Sequence, residues 1–115
     1  MTSLRDDPVV ARRVLSDKRD EVARMLELGG EAAAVVEVDP QRIGRLSRMD
    51  ALQQQAMAQD AERRRRQELA RIEAALERVE EGEYGRCLGC GEQIAEARLE
   101  LDPAATLCVA CAGRN

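Results

Sequence analysis

The sequence predicts a mainly α-helical fold: an antiparallel helical hairpin, or coiled coil, with a small four-cysteine finger at its base. Two long segments carry apolar residues at helical spacing, and four cysteines form two close pairs near the C-terminus. The chain of 115 residues has 35% charged residues, one tyrosine and no Phe or Trp. Because aromatic rings supply much of the buried area of a compact core, we expect an apolar seam between helices instead of a deep core.

The first predicted helix spans residues 8–28. Asp7 followed by Pro8 is a start signal, because a carboxylate caps the first turn and proline fits the first helical position. An imperfect stripe of Val, Leu and Met residues follows at helical spacing. Gly29 and Gly30 then predict the end of this helix.

The second predicted helix begins near Arg48 and ends at about Glu81, where Gly82 supplies a stop signal. Residues 31–38 fit either a continued helix or an extended segment, and a bend or short helix is predicted at 39–46. Apolar residues at heptad spacing predict a seam along the second helix. The residues of this seam are Leu69, Ile72, Leu76 and Val79.

The cysteines have the spacing of ligands to one structural zinc ion. Cys87 and Cys90 form one C-x2-C pair, Cys108 and Cys111 form the other, and 17 residues separate the pairs. Gly91 fits a tight turn after the first pair, whereas the second pair is compatible with a short helical turn. Four thiolates complete a tetrahedral shell and leave no position for water, so hydrolytic zinc chemistry is not expected. Two disulfides or free thiols are the alternative, and zinc-bound thiolates can also be oxidised with loss of the metal.

The residues between the cysteine pairs are predicted to serve packing and turn formation. Ile94 and Leu99 are expected to form a small core, with Arg98 and Glu100 as an ion pair. We therefore divide the chain into a helical hairpin over residues 1–81, with its tip near 39–50, and a zinc-finger domain over 82–115.

Charge and composition favour a protein partner in the cytoplasm. The net formal charge is −4, whereas proteins that bind nucleic acid broadly are usually basic, so direct sequence-specific DNA binding is not expected. The N-terminus lacks the apolar core of a signal peptide, and no run of 18 apolar residues predicts a membrane span. An enzyme is not expected either, because the chain has no His, no Gly-rich phosphate loop and no open metal position.

Residues 82–111 resemble the zinc finger of the DksA/TraR family. The matching positions include a Gly-x-Tyr-Gly lead, a first knuckle closed by glycine, an Arg-Leu-Glu run and a leucine before the final knuckle. These positions are Gly82, Tyr84, Gly85, Gly91, Ile94, Arg98 to Glu100, Pro103 and Leu107. The preceding helices agree with the family's helical hairpin, so the resemblance covers roughly residues 8–111.

The resemblance implies a bacterial regulator that binds RNA polymerase directly and does not bind DNA. In this family the hairpin enters the secondary channel of the polymerase, and its tip lies near the active centre. Several members change the lifetime of promoter open complexes together with the alarmone ppGpp. The charged and polar residues around the predicted tip are the candidate partner-binding set, with a polar cap that merely closes the hairpin as the alternative. These residues are Asp39, Arg42, Arg45, Ser47, Arg48 and Asp50.

The tip departs from the family pattern. Where well-known members carry an Asp-x-x-Asp-x-Ala motif, this chain has Gly44, Ser47 and Met49. Asp39 and Asp50 flank that stretch. The alternative interpretation is therefore a zinc-stapled interaction module, or a thiol redox sensor, that does not act on the polymerase.

The candidate alarmone site is incomplete as well. Arg64 and Arg71 correspond to basic family residues on the second helix. Asp102 and Ala112 stand where two further basic residues are found in the family. Because charge-assisted hydrogen bonds carry much of the binding of a polyphosphate, a weak or absent response to ppGpp is expected.

Overall fold

The computed structural model describes residues 3–33 and 45–114, with side chains described for 3–29 and 48–114. Four helices lie in the described part of the chain: α1 (Pro8–Ala33), α2 (Arg45–Glu81), α3 (Glu96–Leu101) and α4 (Val109–Ala112). Within these ranges there is no strand, and a single antiparallel bridge joins Arg86 to Gln93. The predicted mainly helical fold is thus confirmed.

The chain divides into two compact units. The first unit contains Met1–Glu21 and Leu69–Asn115, and the second contains Val22–Glu68. The predicted division into a hairpin over 1–81 and a finger over 82–115 is based on sequence motifs and not on contacts in space, so it stays a prediction. None of the described helices is both long and apolar enough to span a membrane.

The start of α1 agrees with the sequence prediction. Asp7 Oδ1 accepts hydrogen bonds from the backbone N–H of Val9 at 3.0 Å and of Val10 at 3.4 Å. These bonds satisfy amides that have no partner within the first turn of a helix. The order Asp7-Pro8 therefore sets the helix start, as predicted.

The predicted end of α1 at residue 28 is wrong, because the helix continues through Gly29 and Gly30 to Ala33. A glycine inside a helix costs only about 1 kcal/mol relative to alanine, and the following Glu, Ala and Ala are strong helix formers. In addition, a Cβ atom on Gly29 would lie 3.1 Å from Arg65 Nη1, so the glycine leaves room for the tip of the Arg65 side chain. Of the ambiguous segment 31–38, residues 31–33 are helical and the others lie outside the described residues.

Helix α2 begins at Arg45, three residues before the predicted start, and ends at Glu81 as predicted. Of the predicted bend at 39–46, residues 39–44 lie outside the described part of the chain. At the C-terminal end, the N–H of Gly82 donates to Val79 O at 3.2 Å and that of Glu83 to Arg78 O at 2.8 Å. This pair of bonds, with a left-handed φ of 76° at Gly82, closes the last turn of the helix.

The core of the first unit lies between α1, α2 and the finger. Its helical part uses residues of both long helices, namely Ala11 and Leu15 of α1 and Ile72, Ala75 and Val79 of α2. The predicted seam residues Leu69 and Leu76 are only half-buried. The finger and the segment before α1 contribute further buried residues. These are Leu4, Tyr84, Ile94, Leu99, Ala104 and Ala105. In this unit Arg12 Nε lies 2.7 Å from Glu80 Oε1, so the start of α1 pairs with the end of α2 and the helices run antiparallel.

The second unit buries little apolar surface among its described residues. Val22 is buried and Leu26 is half-buried, whereas most of the larger apolar residues are exposed on both helices. The exposed set is Met25, Leu28, Met49, Leu52 and Met57. The predicted seam of the second helix, Leu69 to Val79, lies outside this unit, which is consistent with the exposed surface here.

Candidate zinc centre

The four cysteine sulfurs lie together at one site. Their Sγ atoms are all within 4.8 Å of one another, and those of Cys90 and Cys108 are 3.9 Å apart. Zinc bonded to four sulfurs at about 2.3 Å in a tetrahedron places those sulfurs about 3.8 Å apart. The four thiols form no disulfide. Donor type, number and spacing all fit one zinc ion, and the alternative of two disulfides is not supported.

A tight backbone turn shapes the first knuckle. Gly91 has a φ of 77°, and its N–H donates to Cys87 O at 2.9 Å. This left-handed conformation is strained for residues that carry a Cβ atom, which explains the glycine after the second cysteine. The N–H of Gly89 also points at Cys87 Sγ, at 3.3 Å. The turn thus presents backbone donors to a sulfur ligand.

The second knuckle opens a short helix instead, as the sequence predicts. Cys108 precedes α4 as its N-cap, and its Sγ accepts from the N–H of Cys111 at 3.5 Å. The N–H of Cys108 itself donates to Cys87 Sγ at 3.3 Å, so the two knuckles are joined directly. Cys87 and Cys111 are buried, whereas Cys90 is exposed.

The thiols have unequal surroundings. Backbone hydrogen bonds, first of all that from Cys108, lower the pKa of Cys87 to about 6 despite burial. Hydrogen bonding to the thiol of Cys87 and crowding by the other sulfurs raise the pKa of Cys111 to about 12. Sulfur crowding therefore opposes simultaneous ionisation, and a bound divalent cation removes this obstacle because coordinated thiols are deprotonated.

Hydrogen bonds to neighbouring backbone groups hold the two knuckles in place. The N–H of Cys87 donates to Glu92 O, and that of Leu88 donates to Thr106 O, each at 2.8 Å. Arg98 Nε donates to Leu107 O at 2.8 Å, next to the second knuckle. The predicted ion pair of Arg98 with Glu100 is wrong, because residues two apart on a helix point in different directions.

The small core of the finger is confirmed. Ile94 and Leu99 are both fully buried. Beside them the hydroxyl of Tyr84 donates to Pro103 O at 2.7 Å. Burial, followed by the negative charges of Glu96 and Asp102, raises the pKa of this phenol to about 12, so it stays a neutral donor. The single aromatic residue of the chain is therefore a structural part of the finger.

Sequence reasoning missed a contact between the N-terminal lead and the finger. Ser3 Oγ donates to Glu96 Oε2 at 2.8 Å, and the backbone N–H groups of Leu4 and Arg5 also donate to this carboxylate. The acidic first turn of α3 was the available signal, but nothing in the sequence indicates which distant residues would approach it.

The predicted tip residues are only partly described. Arg48 and Asp50 are exposed on α2. Arg45 and Ser47 belong to the backbone of α2, but their side chains lie outside the described set. Asp39 and Arg42 lie outside the described residues altogether. The proposed grouping of these six residues therefore stays a prediction.

The two predicted alarmone residues belong to different units. Arg64 is an exposed residue of α2 in the second unit. Arg71 belongs to the first unit, where its Nη2 lies 2.8 Å from Asp102 Oδ2. Asp102 is thus close enough to neutralise one of the cations that a polyphosphate would need.

Clustered sulfurs on two knuckles, joined to a pair of antiparallel helices, define a helical protein with a C4-type zinc finger. Residues 82–115 match the family model described as prokaryotic dksA/traR C4-type zinc finger. The chain belongs to the DksA/TraR family, and its four cysteines hold one structural zinc ion.

Curated relatives share this membership. The RNA polymerase-binding transcription factor DksA of Escherichia coli K12 is 32% identical over 104 residues, covering 87% of this chain and 65% of that protein. The protein of the same name from Caulobacter vibrioides NA1000 is 46% identical over 52 residues, covering 45% of this chain. The match spans just under two thirds of the first relative's length and 37% of the second's.

Solved structures extend the likeness to nearly the whole chain. The structure of transcription factor DksA2 from Pseudomonas aeruginosa is 28% identical, with a TM-score of 0.78, over 93% of this chain and 81% of that one. The solution structure of a DnaK suppressor protein from Agrobacterium tumefaciens C58 is 30% identical with a TM-score of 0.56, over 95% and 94% of the two chains.

Proposed function

We propose that this protein binds RNA polymerase in its secondary channel and modulates transcription initiation. The observation that carries the proposal is its likeness to DksA2 over 93% of the chain, which includes the helices as well as the finger. Curated relatives are named RNA polymerase-binding transcription factors, which supports the same partner. Binding of the polymerase places the protein in the cytoplasm.

In this proposal the helices contact the polymerase and the finger is a structural base. The hairpin over residues 1–81 acts as the probe, its tip near 39–50 makes the functional contacts, and the domain over 82–115 anchors it. Near the start of α2, charged Arg48 and Asp50 alternate with exposed Met49 and Leu52. Such a mixture of apolar and charged surface suits a protein interface better than an isolated solvated helix.

We infer that the protein regulates an enzyme and is not one itself. Four sulfur ligands fill a tetrahedral zinc shell, so no position is left to activate water. The net charge of −4 disfavours direct sequence-specific binding to DNA. Contact with the transcription machinery through protein surfaces is consistent with both features.

We also infer a weak response to ppGpp, although Arg64 and Arg71 remain its candidate ligands. The ion pair of Arg71 with Asp102 supports this inference, because the carboxylate both occupies the guanidinium and repels a polyphosphate. Regulation of this protein is then expected to depend less on the alarmone than in family members with basic residues at both changed positions.

The decisive experiment combines binding and transcription with purified RNA polymerase. The protein is expected to co-purify with polymerase at micromolar concentration and to change the yield of promoter-initiated transcripts. Asp50→Asn is expected to reduce the effect on transcription while retaining zinc. Asp17→Asn makes the same chemical change at an exposed residue of α1 and serves as the matched control. Failure of the wild-type protein to bind polymerase would reject the proposal.

The rival function is a zinc-stapled interaction module or thiol redox sensor that does not act on polymerase. One observation favours it, namely that Cys90 is exposed and therefore open to oxidants while it is part of the metal site. Mild peroxide would then release zinc in parallel with a change in helix content. Zinc retention under peroxide that oxidises free thiols would reject the sensor version.

A further inference from the structure

The N-terminal segment Ser3–Arg5, called the strap below, holds the carboxylate of Glu96. Ser3 Oγ donates to Glu96 Oε2 at 2.8 Å and the N–H of Arg5 donates to the same oxygen at 3.4 Å. The N–H of Leu4 donates to the other oxygen, Oε1. Three donors on an ionised carboxylate form stronger hydrogen bonds than neutral pairs do. The strap therefore recognises one charged residue of the finger across more than ninety positions of sequence.

Side-chain packing reinforces the strap. Leu4 is buried with 7% of its surface exposed, and Arg5 Nη1 donates to Ile94 O at 2.8 Å. A Cβ atom on Gly85 would lie 2.6 Å from Arg5 Cγ, so only glycine lets the arginine stem cross the finger there. The strap thus has its own packing site, which a segment in chance contact with a surface would lack.

The strap also leads directly into the start of α1. The N–H of Asp6 donates to Ser3 Oγ at 3.2 Å, and the N–H of Asp7 donates to Ser3 O at 3.1 Å. Asp7 in turn caps the first turn of α1. Ser3 consequently joins the beginning of the helix to the finger through both its side chain and its backbone.

The residues held by the strap are connected to both knuckles. The N–H of Ile94 donates to Gly85 O at 2.7 Å. Two residues after Gly85, the N–H of Cys87 donates to Glu92 O. Glu96 begins α3, and two residues later Arg98 donates to the carbonyl of Leu107, directly before Cys108. Fixing Ile94 and Glu96 therefore restrains the backbone on each side of the metal site.

We propose that the strap is a clasp that retains zinc. The hydrogen bonds that Ser3, Leu4 and Arg5 donate to Glu96 slow the loss of the metal, and they couple zinc occupancy to the start of α1. The physical basis is reciprocity between coupled equilibria. If a finger folded around zinc presents Ile94 O and Glu96 to the strap, then strap docking must favour the zinc-bound finger by the same factor. The clasp acts by positioning, since none of its residues is a metal ligand.

Zinc release tests the clasp directly. Zinc-loaded full-length protein is mixed with an excess of the chromogenic chelator 4-(2-pyridylazo)resorcinol, and the first-order release rate is recorded. Glu96→Gln keeps the side-chain shape but removes the charge, and about tenfold faster release is expected from weakened charge-assisted bonds. Glu100→Gln, on the same helix but exposed, is the matched control and is expected to release zinc at the wild-type rate.

Amide exchange provides a second readout that does not depend on the metal assay. In zinc-loaded wild-type protein, the Leu4 N–H is expected to exchange at least about tenfold more slowly than in an unstructured chain, because Glu96 accepts it. In zinc-loaded Glu96→Gln this protection is expected to fall while helix content is unchanged. An unprotected Leu4 amide in the wild type, or release rates of wild type and Glu96→Gln within twofold, would overturn the proposal.

If Glu96→Gln loses helix content, a milder variant is used to test whether the clasp slows zinc release. Ser3→Ala removes the single side-chain donor and leaves the backbone donors of Leu4 and Arg5 in place. Zinc release about two to three times faster than wild type is then expected. An unchanged release rate in a folded Ser3→Ala protein would count against the clasp.

Discussion

Arg71 Nη2 lies 2.8 Å from Asp102 Oδ2, which joins α2 to the residue that follows α3. Both side chains are more than a third exposed, at 44% and 37%, so the pair contributes little stability. The pair matters more for the binding of an anionic ligand than for stability. By family resemblance position 102 is basic in relatives, so an acidic residue here reverses a charge and pairs with Arg71.

Replacing this carboxylate is expected to strengthen the response to ppGpp. Asp102→Lys removes the partner of Arg71 and adds a positive charge, whereas Asp102→Asn only removes the negative one. We expect ppGpp to alter transcription in the presence of the lysine variant more than with wild type, with the asparagine variant between them. The measurement is in vitro transcription with polymerase over a ppGpp titration.

The stability of the Asp102 variants provides the control. Because the pair is exposed, Asp102→Asn is expected to lower the free energy of unfolding by less than about 1 kcal/mol in urea denaturation. A wild-type response to ppGpp as strong as that of Asp102→Lys would contradict the assignment of Asp102 as a residue that weakens the site.

Removing a cysteine ligand is expected to abolish stoichiometric zinc. The wild type should contain one zinc per chain, and Cys87→Ser should lose it, because Cys87 is a ligand and its sulfur also accepts two backbone N–H bonds. Zinc content by mass spectrometry and helix content by circular dichroism measure the result. Ser47→Ala, at a residue remote in sequence from the finger, is the control that should retain one zinc.

Gly91→Ala is expected to destabilise the finger by about 1 to 2 kcal/mol, because Gly91 has a φ of 77° and a Cβ atom disfavours that conformation. Gly113→Ala is the matched control, since Gly113 has an ordinary helical φ of −71° and is exposed. Thermal unfolding of the zinc-loaded proteins compares the two. Equal losses of stability would show that the left-handed turn is not the cause.

The stability contribution of Glu96 is expected to depend on pH. Burial alone would raise the pKa of Glu96, but hydrogen bonds from Ser3, Leu4 and Arg5 outweigh it and lower the pKa below its ordinary value of 4.5. Since the folded-state pKa is below that of the unfolded chain, the stabilisation is fully present above the unfolded value. It is lost as the pH falls through the folded value.

The matched comparison isolates this effect from protonation of the thiols. The difference in unfolding free energy between wild type and Glu96→Gln should be constant near neutral pH and shrink below about pH 4.5. Denaturant unfolding at several pH values measures that difference, with Glu100→Gln as the second reference. A difference that grows on acidification would have the wrong sign for a carboxylate stabilised in its charged form.

The sequence by itself determined the features of this protein that depend on interactions between neighbouring residues. The Asp7-Pro8 start, the Gly82 stop and the zinc-ligand spacing each depend on residues close together in the chain. A cap, a turn or a C-x2-C knuckle is specified over a few residues, and its geometry follows from their covalent structure. The family resemblance can also be recognised from the sequence, because its matching positions are concentrated in the short finger segment.

Tertiary structure alone decided which distant residues meet. Ion pairing of Arg71 with Asp102 and the grip of the strap on Glu96 arise from the path of the whole chain. Sequence periodicity reports which face of a helix is apolar, but the partner of a given charge depends on where separate elements come together in space.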